Sequence, residues 1–166
     1  MSRKYLNDKY CVRCGRTEAC PYLRKNVHLL DNENKNLQVV DIGCGNGRNS
    51  KFIKKRGHNV ISLDMVDDYG YKIILGKDKL PAKNNSIDII LCNYLMMFLN
   101  KKERSQLIRE MKRIAKNNCM LMLELYPAKD CYAKTENEML AMQYEIFKKM
   151  NWEKIRYSRG RFIAKK

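Results

Sequence analysis

The stretch VVDIGCGNGRNS at residues 39–50 constrains the fold of this chain more than any other feature. An apolar run ends in an aspartate, and three glycines then follow at alternate positions before a polar, basic segment. Glycine permits positive φ angles and lets a ligand approach the main chain, because it has no Cβ atom. A strand that leads through such a loop into a helix predicts a site for a nucleotide-like ligand, whose anionic end lies at the helix N-terminus.

Strand and helix patterns alternate along the rest of the chain. This alternation predicts an α/β fold with a mostly parallel seven-stranded sheet and an antiparallel C-terminal hairpin. The connection after residue 64 is too short for a normal crossover helix, so the helix after the second strand is expected to be shortened or missing. Strands are predicted at 37–43, 59–64, 71–76, 86–95, 119–127 and on both sides of 158–160, and helices at 46–57, 100–117 and 135–150.

The spacing of the glycines distinguishes between two classes of ligand. A dinucleotide fingerprint that starts at Gly43 requires its third glycine at position 48, where this chain has Arg48. The third glycine is Gly47, one place earlier, and Asp41 precedes the loop. An acidic group at this position suits a ligand that carries positive charge better than it suits a pyrophosphate.

Residues 39–64 resemble the nucleotide-binding half of the Rossmann-like (class I) S-adenosylmethionine-dependent methyltransferases. Two further stretches extend the resemblance, because residues 76–99 are similar to the family's G-D-x-x-x-L-P segment and residues 101–118 to its next helix. The family's Pro-Gly-Gly turn is replaced here by Lys-Asn-Asn at 116–118. The resemblance covers residues 37–166 and implies a Rossmann-like fold, the cofactor S-adenosylmethionine and methyltransferase activity.

The resemblance also implies a role for each residue of the motif. Asp64 would accept hydrogen bonds from both ribose hydroxyls, and Asp78 would face the adenine amino group. Asn93 and Tyr94 would border the reacting methyl group and are the candidates for a catalytic role, although no residue is identified as the catalytic one. The residues expected to bind the cofactor are Asp41, Gly43, Gly45, Gly47, Asp64, Asp78 and Asn93.

The sequence does not identify the methyl acceptor. A sulfonium methyl group is already activated, so orientation and proximity supply most of the rate gain and a general base is needed only if the acceptor loses a proton. The family's motif for amino-directed nucleic-acid methylation is absent, since NYLM occupies that position. No Pro-Cys pair indicates covalent attack on a pyrimidine.

Three cysteines precede the domain in the segment CVRCGRTEAC. The C-x-x-C-G spacing of Cys11 and Cys14, followed by Cys20, predicts one metal ion, with zinc favoured over an iron–sulfur cluster. His28 and Cys131 are the candidates for a fourth ligand. The alternative is three free thiols packed beneath a basic N-terminal segment.

The net charge is the strongest compositional feature, since 34 Lys and Arg residues against 18 acidic ones give a formal charge of +16. Residues 48–56 hold five basic residues and no acid, and residues 148–166 hold eight basic residues and one acid. A polyanionic partner, with RNA foremost, explains this excess. A lysine-rich solvated surface is the alternative. Lys77 and Lys79 are expected beside the methyl-transfer site, because loops at the carboxyl ends of the strands surround the cofactor. The basic residues proposed for nucleic-acid contact are Arg13, Arg16, Arg24, Lys25, Lys77, Lys79, Arg156, Arg159 and Arg161.

The sequence therefore predicts an S-adenosylmethionine-dependent methyltransferase that acts on RNA, either tRNA or rRNA. Two alternatives stay open: a methyltransferase of a small molecule or protein, and a non-catalytic RNA-binding protein that retains the fold. Residues 1–36 are predicted to form a basic, Cys-containing segment and residues 37–166 the methyltransferase domain. A cytoplasmic protein without membrane association is expected, because no apolar stretch approaches the roughly 20 residues that span a bilayer and no signal peptide is present.

Overall fold

The sheet of this protein is covered by helices on both faces. The computed structural model describes residues 17–31, 36–65, 71–73, 77–125 and 135–166. None of the described helices is long and apolar enough to cross a membrane. The helices are α1 (Pro21–Asp31), α2 (Arg48–Lys55), α3 (Lys101–Ile114) and α4 (Glu136–Met150), with a short 3₁₀ helix at Met96–Phe98. The strands are β1 (Gln38–Ile42), β2 (Asn59–Asp64), β3 (Tyr71–Lys72), β4 (Ile87–Asn93), β5 (Ala115–Glu124), β6 (Glu153–Ser158) and β7 (Arg161–Lys165).

The strand order is β3-β2-β1-β4-β5-β7-β6. Strands β1 to β5 pair in parallel, and β7 pairs antiparallel with both β5 and β6. This is the predicted Rossmann-like fold with its antiparallel hairpin. The strand order reverses between β1 and β4, so the connections that leave the carboxyl ends of these two strands run in opposite directions. Such sheets bind ligands in the crevice between those connections.

Successive side chains of β5 point to opposite faces of the sheet, and both faces are apolar. Met120 and Met122 pack with α1 and α2, whereas Leu121 and Leu123 pack in the cluster that includes α3 and α4. A strand buried on both faces is an almost continuous apolar run, as the segment CMLMLEL shows. Any polar side chain in this strand therefore has to lie at one of its ends.

Helix α1 belongs to the same core, although it lies within the segment 1–36 that the sequence separates from the domain. Leu23, Val27 and Leu30 are buried against the sheet face that also holds Ile53 of α2. The helix begins beside the carboxyl ends of the strands, because Cys20 at its start contacts the last residue of β5, Glu124. The boundary between residues 36 and 37 stays a prediction.

Two of the three predicted helix starts are confirmed, whereas the helix predicted at 46–57 extends from Arg48 to Lys55, and the predicted end of α3 is also wrong. Asn100 and Glu103 form a capping box at α3, and Thr135 and Glu138 form another at α4. Helix α3 ends at Ile114 instead of continuing to residue 117, because the next residue already pairs with β4 and so belongs to β5.

The connection between β2 and β3 is as short as predicted, with residues 65–70 between the two strands. Such a length cannot hold a crossover helix of several turns. The predicted third strand at 71–76 is a strand only at Tyr71–Lys72, and positions 74–76 lie outside the described residues.

Replacement of Asn100 by alanine removes one half of the α3 capping box. The side chain accepts a hydrogen bond from the Glu103 N–H at 3.0 Å, so its loss should lower the free energy of unfolding by about 1 kcal/mol. Urea denaturation measures this change. Lys101→Ala removes an exposed side chain from the same helical turn and should change stability by less than about 0.5 kcal/mol. Equal effects of the two variants would contradict the capping role.

Candidate functional site

All three glycines of the loop after β1 adopt left-handed backbone conformations. The φ angles of Gly43, Gly45 and Gly47 are 73°, 55° and 70°, a region that other residues enter only at a cost. The loop is tied to the next strand, because the N–H groups of Gly43 and Cys44 both donate to the Leu63 carbonyl, at 2.7 and 3.0 Å. The glycines are therefore required by the conformation of the loop, as the sequence predicts.

Gly45 lies where the loop faces open space, and Asp64 lies beside it at the end of β2. The Gly45 N–H donates to the Asp64 carboxylate at 2.8 Å, which joins the loop to the end of β2. A Cβ atom added at Gly45 would meet no atom within 4 Å. At Gly43, in contrast, an added Cβ would lie 3.2 Å from the side chain of Leu95. The space above Gly45 is therefore open to a ligand. At Gly43, a side chain would instead crowd Leu95.

Asp41 lies below the loop, with its side chain buried. Its carboxylate accepts a hydrogen bond from the Ser50 hydroxyl at 2.6 Å, and Ser50 in turn accepts one from Ser62 at 2.8 Å. Burial raises the pKa of Asp41 to about 6, and the nearby Asp64 charge contributes in the same direction. Asp41 therefore holds α2 against β1. A direct contact of Asp41 with the cofactor stays a prediction.

A second group of polar side chains lies at the carboxyl ends of β4 and β5, on the face that α1 covers. Its centre is Glu124, the last residue of β5, which is completely buried. The Glu124 carboxylate accepts hydrogen bonds from the thiol of Cys20 at 2.8 Å, the hydroxyl of Tyr94 at 3.0 Å and Nε of Arg161 at 3.0 Å. We call Cys20, Asn93, Tyr94, Glu124 and Arg161 the carboxyl-edge cluster.

Asn93 and Tyr94 end β4 within this cluster. The Asn93 amide donates to the Cys20 sulfur at 3.5 Å, and the Tyr94 N–H donates to the Glu124 carbonyl at 2.7 Å. Tyr94 has a φ angle of 58°, an uncommon conformation for an aromatic residue that indicates a local constraint. The structure thus brings both candidate residues together beside the glycine loop.

The thiol of Cys20 and the phenol of Tyr94 are held in their protonated forms. Burial is the main cause that raises the pKa of each group, and the charge of Glu124 raises both further. Both groups therefore act as hydrogen-bond donors to the carboxylate. Neither serves as an anionic nucleophile or base near neutral pH.

The predicted metal site is not supported by the described residues. Cys11 and Cys14 lie outside them, as does Cys131. The Cys20 thiol donates a hydrogen bond to Glu124, and the raised pKa of Cys20 opposes the thiolate form that zinc requires. No three His, Cys, Asp or Glu side chains in the described part of the chain are grouped to bind a metal ion.

The structure separates the basic residues that the sequence groups around the cofactor. The turn between β6 and β7 lies at the carboxyl edge of the sheet, because Arg161 pairs with Glu124 and the Leu125 N–H donates to the Gly160 carbonyl. The expectation that Lys79 lies beside the same edge is wrong. The N–H of the next residue, Leu80, donates to Glu110 near the end of α3, and α3 leads into the first residue of β5, at the opposite edge.

Asp78 and Lys77 lie on an exposed turn. The predicted contact between Asp78 and the adenine amino group stays a prediction. Glu124 was missed as a site residue, because the segment CMLMLELYP was interpreted only as an apolar strand. A single carboxylate at the end of a strand that is buried on both faces is the feature that could have identified it.

The loop residues fit S-adenosylmethionine, the cofactor that the resemblance implies. Open space lies above the main chain at Gly45, as a ligand that packs against this backbone requires. Asp64 lies at the end of the neighbouring strand, where a carboxylate can accept hydrogen bonds from ribose hydroxyls. The acidic residues Asp41 and Asp64 give the surroundings of the loop a negative character that suits a positively charged ligand.

Comparison with known proteins agrees with this geometry. The profile of the "Methyltransferase domain" family matches residues 40–123. Phosphoethanolamine N-methyltransferase 1 of Triticum aestivum is 31% identical to this chain over 86 residues, which are 42% of this chain and 17% of that protein. The protein of the same name from Caenorhabditis elegans is 31% identical over 86 residues, or 44% of this chain and 18% of its own length. The chain thus spans less than a fifth of these curated relatives.

Solved structures of methyltransferases share the fold at low sequence identity. An S-adenosylmethionine-dependent methyltransferase from Mesorhizobium loti superposes with a TM-score of 0.66 at 14% identity and covers 92% of this chain and 99% of its own. The 1,6-didemethyltoxoflavin-N1-methyltransferase of Burkholderia thailandensis, which was solved with its substrate and S-adenosylhomocysteine, has a TM-score of 0.67 at 12% identity. That match covers 88% of this chain and 78% of the other.

The raised pKa of Asp41 predicts a specific dependence of stability on pH. The folded-state value of about 6 exceeds the ordinary 3.8, so the unfolded state loses its proton first and this group destabilises the fold as pH rises from about 4 to 6. Asp41→Asn removes that cost and should be more stable than the native protein by about 1–3 kcal/mol at pH 7.

Denaturation curves between pH 4 and 7 measure this effect. The difference in unfolding free energy between Asp41→Asn and the native protein should grow up to about pH 6 and then remain constant. Glu153→Gln, which removes an exposed carboxylate from β6, should change stability by less than about 0.5 kcal/mol. A difference that does not vary with pH would contradict the assignment.

Proposed function

Because this chain belongs to the class I S-adenosylmethionine-dependent methyltransferases, we propose that it methylates a small-molecule acceptor at the carboxyl edge of its sheet. The observation that carries this proposal is the carboxyl-edge cluster beside the glycine loop. Asn93 and Glu124 at its centre are exposed by only 7% and 0%, whereas the Arg161 side chain is 42% exposed. An enclosed polar group of this kind suits a small acceptor better than an extended macromolecule.

The loop residues supply the binding of the cofactor. Gly45 leaves open space for the cofactor. Asp64, which accepts a hydrogen bond from the Gly45 N–H, is the residue that we propose to hold the ribose. When bound, S-adenosylmethionine supplies a methyl group that is already activated by the positive sulfur. The protein then has to orient the acceptor and exclude water, and these two effects can supply most of the rate gain.

The names of the relatives agree with a small acceptor. The two curated relatives are named for phosphoethanolamine, and the Burkholderia thailandensis neighbour for 1,6-didemethyltoxoflavin. Both names describe the methylation of a nitrogen atom in a small molecule. Incubation of the protein with labelled S-adenosylmethionine and separate pools of metabolites, RNA, DNA and protein tests the proposal. Label confined to a macromolecular pool would overturn it.

Replacement of Asp64 tests the cofactor site directly. Asp64→Ala should weaken the binding of S-adenosylhomocysteine by about 1.5–3 kcal/mol, which is roughly 10- to 150-fold, the range for hydrogen bonds to a charged group. Titration calorimetry measures this affinity. Asp64→Asn keeps an oxygen acceptor for the Gly45 N–H and should leave the loop ordered. A similar loss of affinity in this variant would therefore show that the lost charge, and not disorder of the loop, weakens binding.

Asp88 provides a matched control for this experiment. Its carboxylate accepts hydrogen bonds from the Gln38 N–H and from Lys116 near the start of β4, at the opposite edge of the sheet. Asp88→Asn should therefore leave the affinity for S-adenosylhomocysteine unchanged. If Asp64→Ala also leaves it unchanged, Asp64 does not hold the ribose.

RNA is a second candidate acceptor, favoured by the position of the β6–β7 turn. The side chain of Arg159 in this turn is 78% exposed at the carboxyl edge, where it contacts Glu136, and the chain has a net charge of +16. Lys25 of α1 is also exposed. Phosphate contacts by such residues would bring a nucleic acid to the edge that holds the glycine loop.

A salt titration of RNA binding tests this second candidate. If Arg159 and Lys25 each contact a phosphate, the slope of log K against log salt should become less negative by about 0.7 per residue replaced in single-stranded RNA. Filter binding to a tRNA pool compares the double alanine variant with Lys54→Ala/Lys55→Ala, which loses the same charge at the far end of α2. Equal slopes for the two double variants would show that the carboxyl edge does not contact RNA. RNA binding without methylation of the RNA would favour the non-catalytic alternative.

A further inference from the structure

The carboxyl-edge cluster holds a buried carboxylate that the cofactor site does not use. Glu124 lies at the end of β5, whereas the glycine loop follows β1, and β4 separates the two strands in the sheet. Its three donors come from three distant parts of the chain, which are the start of α1, the end of β4 and the start of β7. Arg161 forms an ion pair with this carboxylate at 3.0 Å, and the Cys20 thiol and the Tyr94 hydroxyl add two donors, so the cost of burying the charge is offset within the cluster.

The cluster adjoins the glycine loop on two sides. The Cys20 N–H donates to the side chain of Asn49 at 2.9 Å, and Asn49 lies two residues after Gly47. On the other side, the side chain of Leu95 lies 3.2 Å from the position of an added Cβ at Gly43. A ligand held by the cluster would therefore lie next to a ligand held by the loop.

The hydrogen bonds of the cluster leave acceptor atoms in excess. Asn93 is more than nine-tenths buried, and no described residue donates to its Oδ1 atom, although its Nδ2 atom donates to Cys20 within the cluster. Glu124 accepts three hydrogen bonds, one fewer than a carboxylate can accept. A buried acceptor without a donor costs about 1–3 kcal/mol. The missing partner is therefore a group that donates hydrogen bonds.

Tyr22, next to Arg161 of the cluster, carries a second buried polar group, its hydroxyl, without a hydrogen-bond partner among the described residues. Burial raises the pKa of Tyr22, and the nearby charge of Glu124 raises it further. The guanidinium group of Arg161 lies over the Tyr22 ring at 5.5 Å. The cluster and the neighbouring Tyr22 thus offer one carboxylate, one amide oxygen and one hydroxyl to a polar ligand.

We propose that the carboxyl-edge cluster binds the amino group of the methyl acceptor, through Glu124 and the Oδ1 atom of Asn93. This inference rests on the proposed function and names the acceptor class as a small amine. An amine supplies the missing donors, and an ammonium group also places a positive charge beside a carboxylate that Arg161 already pairs on another side. A hydroxyl acceptor supplies one donor and no positive charge, so it fits the cluster less well.

The reaction balances when the amine gives up one proton before the transfer. The ammonium form of the acceptor releases this proton to water, which leaves a lone pair on nitrogen. That lone pair forms the new bond to the methyl carbon while the methyl–sulfur bond breaks and its electron pair stays on sulfur. Tyr94 and Arg161 remain hydrogen-bonded to the carboxylate and position it, and they do not exchange protons in the step.

The test measures binding of amines to the protein loaded with S-adenosylhomocysteine. The probes are ethanolamine and phosphoethanolamine, which the names of the curated relatives suggest, together with a panel of primary amines. Each amine is compared with the alcohol of the same skeleton by saturation-transfer NMR and calorimetry. We expect the binding of at least one amine and weaker binding of its matched alcohol.

Two variants assign this binding to the cluster. Glu124→Gln keeps the size of the side chain and should weaken amine binding by about 10-fold or more, the range for a hydrogen bond to a charged group. Asn93→Ala, which leaves the three donors of Glu124 in place, should also weaken it and provides a second measurement if Glu124→Gln is unstable. Glu145→Gln removes a carboxylate that pairs with Arg104 and Lys149 away from the cluster and should leave amine binding unchanged.

The amino group that the cluster binds could also belong to the amino-acid part of the cofactor. 5′-Methylthioadenosine lacks that part, so its affinity distinguishes binding of the cofactor from binding of the acceptor. We expect Glu124→Gln to leave the affinities for S-adenosylhomocysteine and for 5′-methylthioadenosine unchanged. A loss for S-adenosylhomocysteine alone would assign the cluster to the cofactor and overturn the proposal. Failure of the loaded native protein to bind any amine would also overturn it. Failure to bind S-adenosylhomocysteine would instead overturn the proposed function.

Discussion

The carboxyl edge of this protein depends on the hydrogen bonds that surround the buried side chain of Glu124. A buried carboxylate is stable only where donors surround it. Here the donors are Cys20, Tyr94 and Arg161, from three parts of the chain that are far apart in sequence. Their convergence joins α1 to β4, β5 and the C-terminal hairpin. The same contacts shape the space beside the glycine loop, so the stability of this edge and the form of the site have one physical origin.

Charge is distributed in opposite ways over the surface and within the site. The chain as a whole carries +16, and lysines and arginines are numerous in α2 and in the hairpin. At the carboxyl edge, however, Asp41 and Asp64 place two carboxylates at the glycine loop, whereas Glu124 is paired with Arg161. S-adenosylmethionine is positively charged at sulfur and at its amino group, so a local negative character favours it over a dinucleotide. Net charge therefore describes the solvent-facing surface and does not describe the ligand site.

The parallel sheet explains why polar function is confined to one edge. Strands β1, β4 and β5 are buried on both faces, so their side chains are apolar over most of their length. Polar side chains become compatible with such a strand where it ends and the chain turns. The loop at residues 43–47, Asp64, Asn93 and Glu124 all follow this rule. Only tertiary contacts distinguish the polar residue of a binding site from one that caps a strand.

The fold was predicted closely because it is encoded by local patterns. Apolar runs marked five of the strands, and the capping boxes at Asn100 and Thr135 marked two helix starts. The three glycines specified a left-handed loop, since conformational freedom at a single residue is a property of that residue alone. The end of α3 was misplaced, because pairing of Ala115 with β4 overrides the helical pattern and that pairing joins residues 28 positions apart.

The partners of single side chains are what only the tertiary structure decided. The sequence placed Cys20 in a motif of three cysteines and so suggested a metal ligand, whereas the fold places its thiol 2.8 Å from Glu124, 104 residues away. It grouped Lys79 with the cofactor loops, whereas the Leu80–Glu110 hydrogen bond places it toward the other edge. Local patterns specify strands, turns and the glycine loop, because these depend on neighbouring residues. The protonation and role of a buried polar group depend on which distant atoms surround it, and those are known only when the chain is folded.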